Sequence, residues 1–594
     1  MKKRFFESAL AIDHSFEQTL TRRSQHIMAG RLILFFAAIL IAAAGWDQSS
    51  TGLYALALAI FIAFLRLLQF HDDTRRLMIF THSHTEVLQE YLDRWNGRWH
   101  KFPETGKQYL RDEQPQGLDL SLFGSDSIYQ YICTAHTKHG RDRLAAALSP
   151  MPPDLSMSMH RQQGADAFIR RTRLSVDLQA ISRLMPDNQD TTPLIEALEK
   201  RQLPEKKILH QISWILPAAS GLSILLSILG YIHWSLPCSL LLLQFALSLI
   251  FFNRHTAALA PLFHLQHDLQ LYYYLFDRLE QSTFPHDSYL DSLIAPLRGS
   301  DGAAHSMRQL YRLSEYANMR RNLFFALLAN TLLLWDFHCY AYFVAWKQHT
   351  ARNIRHWLGT WSEIEVLMSL AVIGQTRQTY IFPTLLPDEA PHIEARSLSY
   401  LLLPEELAIP NDTDTGSATF IITGSNMSGK TTYLRTLASS VILAYAGAPV
   451  CAQYFSLTHF RVFTSIRVTD DITRGLSTFY AELLRIKSMV EFSREKMPML
   501  ICIDEIFKGT NSADRIIGAR EAINRLTNPW SITMVSTHDF ELCELQSPND
   551  TPVCNYHFAE HYEGDKILFD YKIKPGRCQT TNARYLLKMA GIMD

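Results

Sequence analysis

Apolar positions are concentrated in blocks along this chain of 594 residues. Residues 32–46 and 51–65 form two apolar runs separated by Asp47, Gln48, Ser49 and Ser50, with Arg31 and Arg66 at their outer ends. Between 208 and 253 no Lys, Arg, Asp or Glu occurs over 46 residues, and Trp234, Ser235, Leu236 and Pro237 supply a turn near the middle. About 20 apolar residues of helix cross a bilayer, so each block predicts a transmembrane hairpin. The flanking arginines can lay their stems along the apolar face and hold their charge among headgroups. A water-soluble core helix usually keeps a polar stripe, and the 208–253 block has no charged residue to contribute to one. The first pair starts late, lacks a cleavage site and is followed at once by another span, so it is not read as a cleaved leader. A fifth stretch, 323–346, is interrupted by Asn330, Asp336 and His338 and reads as a buried soluble helix rather than a span.

The intervening segments carry apolar positions at helical spacing, as in 86–95, 141–148 and 265–279. Pro150, Pro152 and Pro153 separate one helix from the next. From about residue 396 short β runs alternate with helices: strands at 418–423, 498–503 and 531–536, helices at 430–446 and 513–526. That alternation predicts a parallel α/β sheet. The chain is therefore expected to be multidomain: a cytosolic N-terminal tail (1–26), a transmembrane hairpin (27–70), a helical region (71–207), a second hairpin (208–253), another helical region (254–395) and an α/β domain (396–594).

Charge adds orientation. Lys2, Lys3, Arg4, Arg22, Arg23 and Arg31 precede the first run, Arg66, Arg75 and Arg76 follow the second, Arg201, Lys206 and Lys207 precede the third, and Arg254 follows the fourth. The hairpin loops carry only Asp47. The excess of positive charge on one side is expected to place both termini, the middle region 71–207 and the α/β domain in the cytosol, on a multi-pass protein of the cytoplasmic (inner) membrane. With 57 Lys and Arg against 58 Asp and Glu, net charge gives no global reason to bind nucleic acid. Arg141, Arg143, Arg161, Arg170 and Arg171 are the local candidates for phosphate contact, and a solvated helix face is the preferred reading of them. The eight cysteines form no CxxC pair, which leaves no zinc knuckle or redox motif.

The chemistry-bearing residues lie in the α/β domain. Gly424, Ser425, Asn426, Met427, Ser428, Gly429, Lys430 and Thr431 fit G-x-x-x-x-G-K-[ST], with Thr432 continuing into the helix. The glycines let backbone N–H groups wrap a phosphate chain at a helix N-terminus. Lys430 is suited to the β- and γ-phosphates and the Thr431 hydroxyl to Mg²⁺. The apolar strand 498–503 ends in Asp504 and Glu505, where the first acid suits Mg²⁺ and the second a water that attacks phosphorus. The strand 531–536 ends in Thr537 and His538, which is placed to meet the γ-phosphate or its water. These motifs point to a P-loop ATPase with ATP and Mg²⁺.

The same residues resemble the MutS family of DNA mismatch-repair ATPases. The family's T-G-x-N-M-x-G-K-[ST] loop is matched from Thr423 to Thr431. Its S-T-F-x-x-E signature is matched by Ser477, Thr478, Phe479 and Glu482 after Asp470 and Asp471. Its segment after the paired acids is matched by Gly509, Thr510 and Asn511, and its K-P-G stretch by Lys574, Pro575 and Gly576. Upstream, 118–124 and 134–148 are similar to the opening of the family's helical core, which continues into lever helices. The resemblance implies a C-terminal α/β P-loop ATPase of the ABC/MutS type, an α-helical core and lever region, and a homodimer in which Ser477 of one copy faces the γ-phosphate held by the other. It also makes DNA a possible partner.

Two departures qualify it. The family's Phe-x-Glu mismatch wedge is missing: Phe5, Phe6 and Glu7 fall on the tail before the first span. The aromatic that precedes the family's P-N-D segment is also missing, since Ala408 and Ile409 precede Pro410, Asn411 and Asp412. The chain thus reads as a membrane-anchored MutS-like ATPase that does not read mismatches. The alternative is an ATP-driven transporter or regulator built on the same engine, though an LSGGQ-type signature is absent.

Overall fold

The first apolar pair belongs to helices much longer than a bilayer needs, α1 (Lys2–Asp47) and α2 (Thr51–Trp95). At 1.5 Å per residue each is roughly 70 Å long, against about 30 Å of hydrocarbon. Small residues let the pair close up: a Cβ added to Gly30 or Gly45 would lie 3.3 Å from Leu67 or 3.2 Å from Leu53. The polar ends of both helices continue into the helical core. Residues 2–26 are therefore ordered helix, not a free tail. Phe6 is buried and stacks on Tyr91 with centroids 4.6 Å apart, because a helix that leaves the apolar run in register carries its next apolar positions onto the neighbouring helix.

The structure, a computed structural model, describes residues 2–150, 154–186, 190, 192, 195–196, 207–264, 266–285, 288–299, 301–387, 390–467, 478–508, 512–546, 550–563 and 566–578. Its longer helices continue with α3 (Lys138–Ala147), α4 (Leu155–Arg170), α5 (Thr172–Arg183), α6 (Lys207–Ile228), α7 (Ser235–His264), α8 (Gln266–Glu280), α9 (Ala303–Asn318), α10 (Leu323–Leu333) and α11 (Trp335–Thr376). The second hairpin, α6 and α7, reverses at 229–234, earlier than expected, because Pro237 is accommodated in the first turn of α7, where no N–H is needed. Buried Gln244 ties the two helices together, donating to Ser220 Oγ at 2.8 Å. Among the described residues, four helices are long and apolar enough to cross a membrane. Their most apolar stretches are only 11%, 6%, 22% and 17% buried within the chain.

The fifth apolar stretch is not one buried helix. It breaks at Leu334, which has φ +51°, and α10 meets the start of α11 at 83°. Phe337, Tyr340 and Phe343 on α11 are buried as expected, whereas Leu323 and Phe324 on α10 are 79% and 84% exposed.

Helix α11, 42 residues long, is the axis of the helical core. Its Glu365 accepts from His136 N (2.9 Å) and Thr137 N (3.1 Å) and from the Thr137 hydroxyl, which itself caps α3 by accepting from Gly140 N (3.1 Å). Its Glu363 pairs with Arg161 (2.7 Å) and Arg143 (2.6 Å). These contacts correct the reading of the arginines as a solvated face for two of the five. Arg141 and Arg161 are buried, with Arg141 paired to Glu104 at 2.8 Å. Arg171 lies over the Phe284 ring, while Arg143 and Arg170 are exposed, the latter paired with Asp166. For Arg141, Arg143 and Arg161 the partners are carboxylates remote in the chain, invisible to a local reading.

Two sheets form the C-terminal part. β1 (Thr384–Leu386), β2 (Ile393–Leu398), β3 (Asn411–Thr415) and β5 (Tyr454–Thr458) make a small sheet in the order β1-β5-β2-β3. β4 (Ala418–Thr423), β6 (Arg461–Ser465), β7 (Met499–Asp504), β8 (Ser531–Thr537), β9 (Val553–Glu563) and β10 (Lys566–Pro575) form the larger one in the order β10-β9-β4-β8-β7-β6. The larger sheet is parallel except for β10. Between its strands run α12 (Lys430–Ala446), α13 (Thr478–Ser493) and α14 (Ser512–Leu526). β4 and β8 are buried throughout and pair in register from Ala418–Ile532 to Thr423–Thr537, so their C-terminal tips and that of β7 end level with one another.

Candidate functional site

The loop 424–429 leaves β4 at this level edge and enters α12. Its backbone turns through left-handed positions at Gly424 (φ +150°), Met427 (φ +69°) and Gly429 (φ +110°). Glycine is required at the first for space as well: an added Cβ would meet Ser428 Oγ at 2.8 Å. Lys430 is buried, and its ammonium donates to Gly424 O (2.8 Å) and Ser425 O (2.9 Å) across the loop. Burial lowers its pKa, while Asp504 and Glu505 act the other way. Ser428 is buried beneath the loop, whereas Asn426, Met427 and Thr432 face outward.

Thr431 Oγ1 donates to Asp504 Oδ2 at 2.6 Å, and the Ser536 hydroxyl donates to the other carboxylate oxygen. Glu505, just past β7, has φ +55° and is held by its N–H to Ser536 O at 3.0 Å. Its carboxylate meets Lys508 Nζ at 2.5 Å and His538 Nε2 at 3.2 Å. Burial alone would raise its pKa; Lys508 and His538 outweigh that and lower it. His538 Nε2 also lies 2.9 Å from Asn426 Oδ1, so the imidazole links the loop to the acid. Lys430, Thr431, Asp504, Glu505 and His538 thus converge from three strand tips. Ser477 lies outside the described residues.

Three groups not assigned from the sequence complete the arrangement. Glu482, on α13, is buried and accepts from Phe507 N at 2.7 Å. It braces the turn after Glu505, where Phe507 also has positive φ, and burial pushes its pKa up to about 7. Asp119 is fully buried and accepts from Thr464 Oγ1, Ile466 N and Arg467 N, with Arg485 of α13 at 3.2 Å. It fastens the helical region to the end of β6. Tyr571 sits in an irregular stretch of β10 between Phe569 and Ile573, and its ring would lie 3.3 Å from a Cβ on Gly429. With Ile409 and Phe558 it lines a cavity of about 360 Å³ beside the loop. Asn411 anchors this stretch by donating to Tyr571 O (3.0 Å) and accepting from Ile573 N (2.9 Å). Glu482 and Asp119 lie inside segments singled out in the sequence and Tyr571 just before the Lys574–Gly576 stretch, but their partners are remote in the chain.

A mixed α/β domain with a glycine loop facing paired acids defines the class. Residues 420–594 match MutS domain V. Over 252 residues the chain is 30% identical to a DNA mismatch repair protein MutS of Natronomonas pharaonis, covering 42% of this chain and 28% of that protein. Over 262 residues it is 30% identical to the protein of the same name from Bacillus thuringiensis, and likewise to that from Bacillus cereus, with the same shares. The chain spans little more than a quarter of the length of these relatives. The similarity to the MutS proteins is carried by this C-terminal part, which matches their domain V.

Proposed function

We propose that this chain is a membrane-anchored MutS-like ATPase that hydrolyses ATP at composite sites between two copies of itself and does not read mismatches. The observation that carries the reading is the convergence of Lys430, Thr431, Asp504, Glu505 and His538 on one edge of the sheet. The residues fit their proposed ligands. The buried Lys430 ammonium donates to loop carbonyls, and a polyphosphate is a stronger acceptor. Thr431 and Asp504 offer adjacent hard oxygens for Mg²⁺. Bound Mg²⁺ would supply charge neutralisation across the phosphate oxygens. Glu505, its pKa lowered, is a carboxylate at neutral pH and accepts the proton of the attacking water as the γ-phosphoryl bond breaks to give ADP and phosphate. His538 holds that carboxylate in line with Asn426 of the loop. Tyr571 offers the adenine ring an aromatic face that Ala408 cannot.

The four apolar helices anchor the chain in the cytoplasmic membrane with the ATPase domain in the cytosol. Residues 71–207 serve as a core region and 254–395 as a lever region. Relatives bearing the MutS name are mismatch repair proteins, so DNA remains a proposed partner. A second reading, an engine whose output is the membrane itself, is favoured by the continuity of α1 and α2 from their apolar runs into the core and by the carboxylate partners of four of the five candidate arginines.

The test is Glu505→Gln in the full-length protein. It removes proton acceptance and keeps the shape, so ATP binding should persist while turnover falls at least about a hundredfold. Lys430→Ala should weaken ATP binding itself. Undiminished turnover in Glu505→Gln would overturn the assignment.

A further inference from the structure

The four long helices do not account for all the outward-facing apolar surface. Helix α10 adds Leu323, Phe324, Leu327 and Leu328, all exposed. It packs against α6 and α7, so its free face continues their apolar belt. Eleven residues of helix rise about 16 Å, half of a hydrocarbon core.

Both ends of α10 are built to be closed without water. At the start, Asn322 Oδ1 accepts from Phe324 N (3.0 Å) and Phe325 N (3.2 Å). At the 83° break, Leu334 N donates to Asn330 O (3.2 Å), and the Asn330 side chain accepts from Asp336 N (3.0 Å) while donating to Ala326 O (3.1 Å). Irregular backbone is tolerated at membrane depth only where protein satisfies it in this way. Arg320, just before α10, and Asp336, just after the break, approach to 3.4 Å with side chains 8% and 3% exposed. Arg320 also donates to Thr256 on α7 at 2.7 Å. This buried pair joins the entry and exit of the segment, so the chain goes in and comes out on one side.

Groups suited to a lipid interface surround that junction. Trp335 donates its indole N–H to Tyr316 O at 3.1 Å, and Trp214 of α6 packs against His338, as aromatic side chains do at headgroup depth. Arg321 is exposed, and Arg312 lines a cavity of about 420 Å³ with His305, Gln309, Trp335 and Tyr342. Residues 303–355 contain seven Lys or Arg against two Asp or Glu, a balance that complements the acidic lipids of a cytoplasmic leaflet.

We propose that α10 is a half-inserted helix. It enters the cytoplasmic leaflet beside α7, turns at Leu334 and returns to the cytosol as α11, with anionic phospholipid headgroups seated against Arg312 and Arg321. The proposal rests on the membrane reading above.

The test uses the full-length chain with exposed Cys238 replaced by Ser, carrying a single polarity-sensitive fluorophore at Phe324→Cys, Leu243→Cys or Met159→Cys. The unsubstituted background serves as blank. Each protein is reconstituted into vesicles of phosphatidylcholine with or without phosphatidylglycerol. In the mixed vesicles the label at 324 should lose emission to spin-labelled lipid as the label at 243 does, and resist iodide; the label at 159 should do the reverse. Without phosphatidylglycerol, lipid quenching should fall at 324 and stay at 243. Iodide access at 324 with 243 protected would overturn the proposal while leaving the membrane reading intact. Iodide access at both would end the membrane reading as well. Protection at 324 from both quenchers would mean that protein, a second copy or a partner, covers α10, and equal lipid quenching at 324 in both vesicle types would remove the anionic headgroups; either overturns the proposal as stated.

Discussion

Glu482 and Glu505 are two carboxylates on either side of one turn, pushed in opposite directions. Burial dominates at Glu482 and raises its pKa to about 7. At Glu505, Lys508 and His538 outweigh burial and lower it. For Glu482 the folded value lies above the ordinary carboxylate value, so between roughly pH 4.5 and 7 the unfolded chain releases the proton more readily than the folded one. Stability is therefore lost as pH rises through that window, then levels off. Glu482→Gln keeps an acceptor for Phe507 N–H and has no proton to lose. The difference in Tm between Glu482→Gln and the wild type should grow from pH 5 to pH 7 and then stay constant. A difference independent of pH would mean that Glu482 is ionised throughout.

Among elements, α11 is tightly constrained where α3 packs on it. An added Cβ at Gly140 of α3 would lie 2.1 Å from Glu365 Oε2, and that carboxylate is already committed to the cap of α3. Gly359 sits in α11 itself with nothing within 4 Å of an added Cβ. Gly140→Ala should therefore cost about 1–3 kcal/mol through overpacking. Gly359→Ala should be neutral or stabilise by up to about 1 kcal/mol through helix propensity. Thermal melts of the purified protein compare the two, and equal effects would show that α3 does not approach α11 this closely. The contact matters beyond stability. Glu363 of α11 holds Arg161 of α4, and Ser158 of α4 donates to Tyr445 O at the end of α12. Through α4, α11 thus links the bend at Leu334 to the helix that follows the glycine loop.

For the whole molecule, the central prediction is a dimer. The resemblance places Ser477 of one copy at the site of the other. Mixing Lys430→Ala subunits with Ser477→Arg subunits leaves one composite site free of both changes, so the mixture should regain part of the turnover that each variant lacks. A mixture as inactive as its components, with wild-type turnover first-order in protein at every dilution, would show that each copy works alone.

The contiguous pieces of the site were legible in the sequence. The loop 424–431, the acids after β7, His538 after β8 and the helix Lys430–Ala446 all follow from short-range rules: apolar strands end in polar tips, and glycines mark left-handed turns. The long apolar runs were legible for the same reason. The small sheet was missed because strands such as Asn411–Thr415 are short and polar and gain their pairing from neighbours. Tyr571 beside Gly429, Asp119 beside Arg485, and Arg161 beside Glu363 join residues that lie far apart in the chain, and no local pattern encodes such pairs. Nor does apolarity say what covers a side chain, because hydrophobic burial has no direction. Phe6 and Phe324 look alike as residues in apolar helices. Only the tertiary structure turns the first into the core and leaves the second facing outward, by deciding which helices have a neighbour.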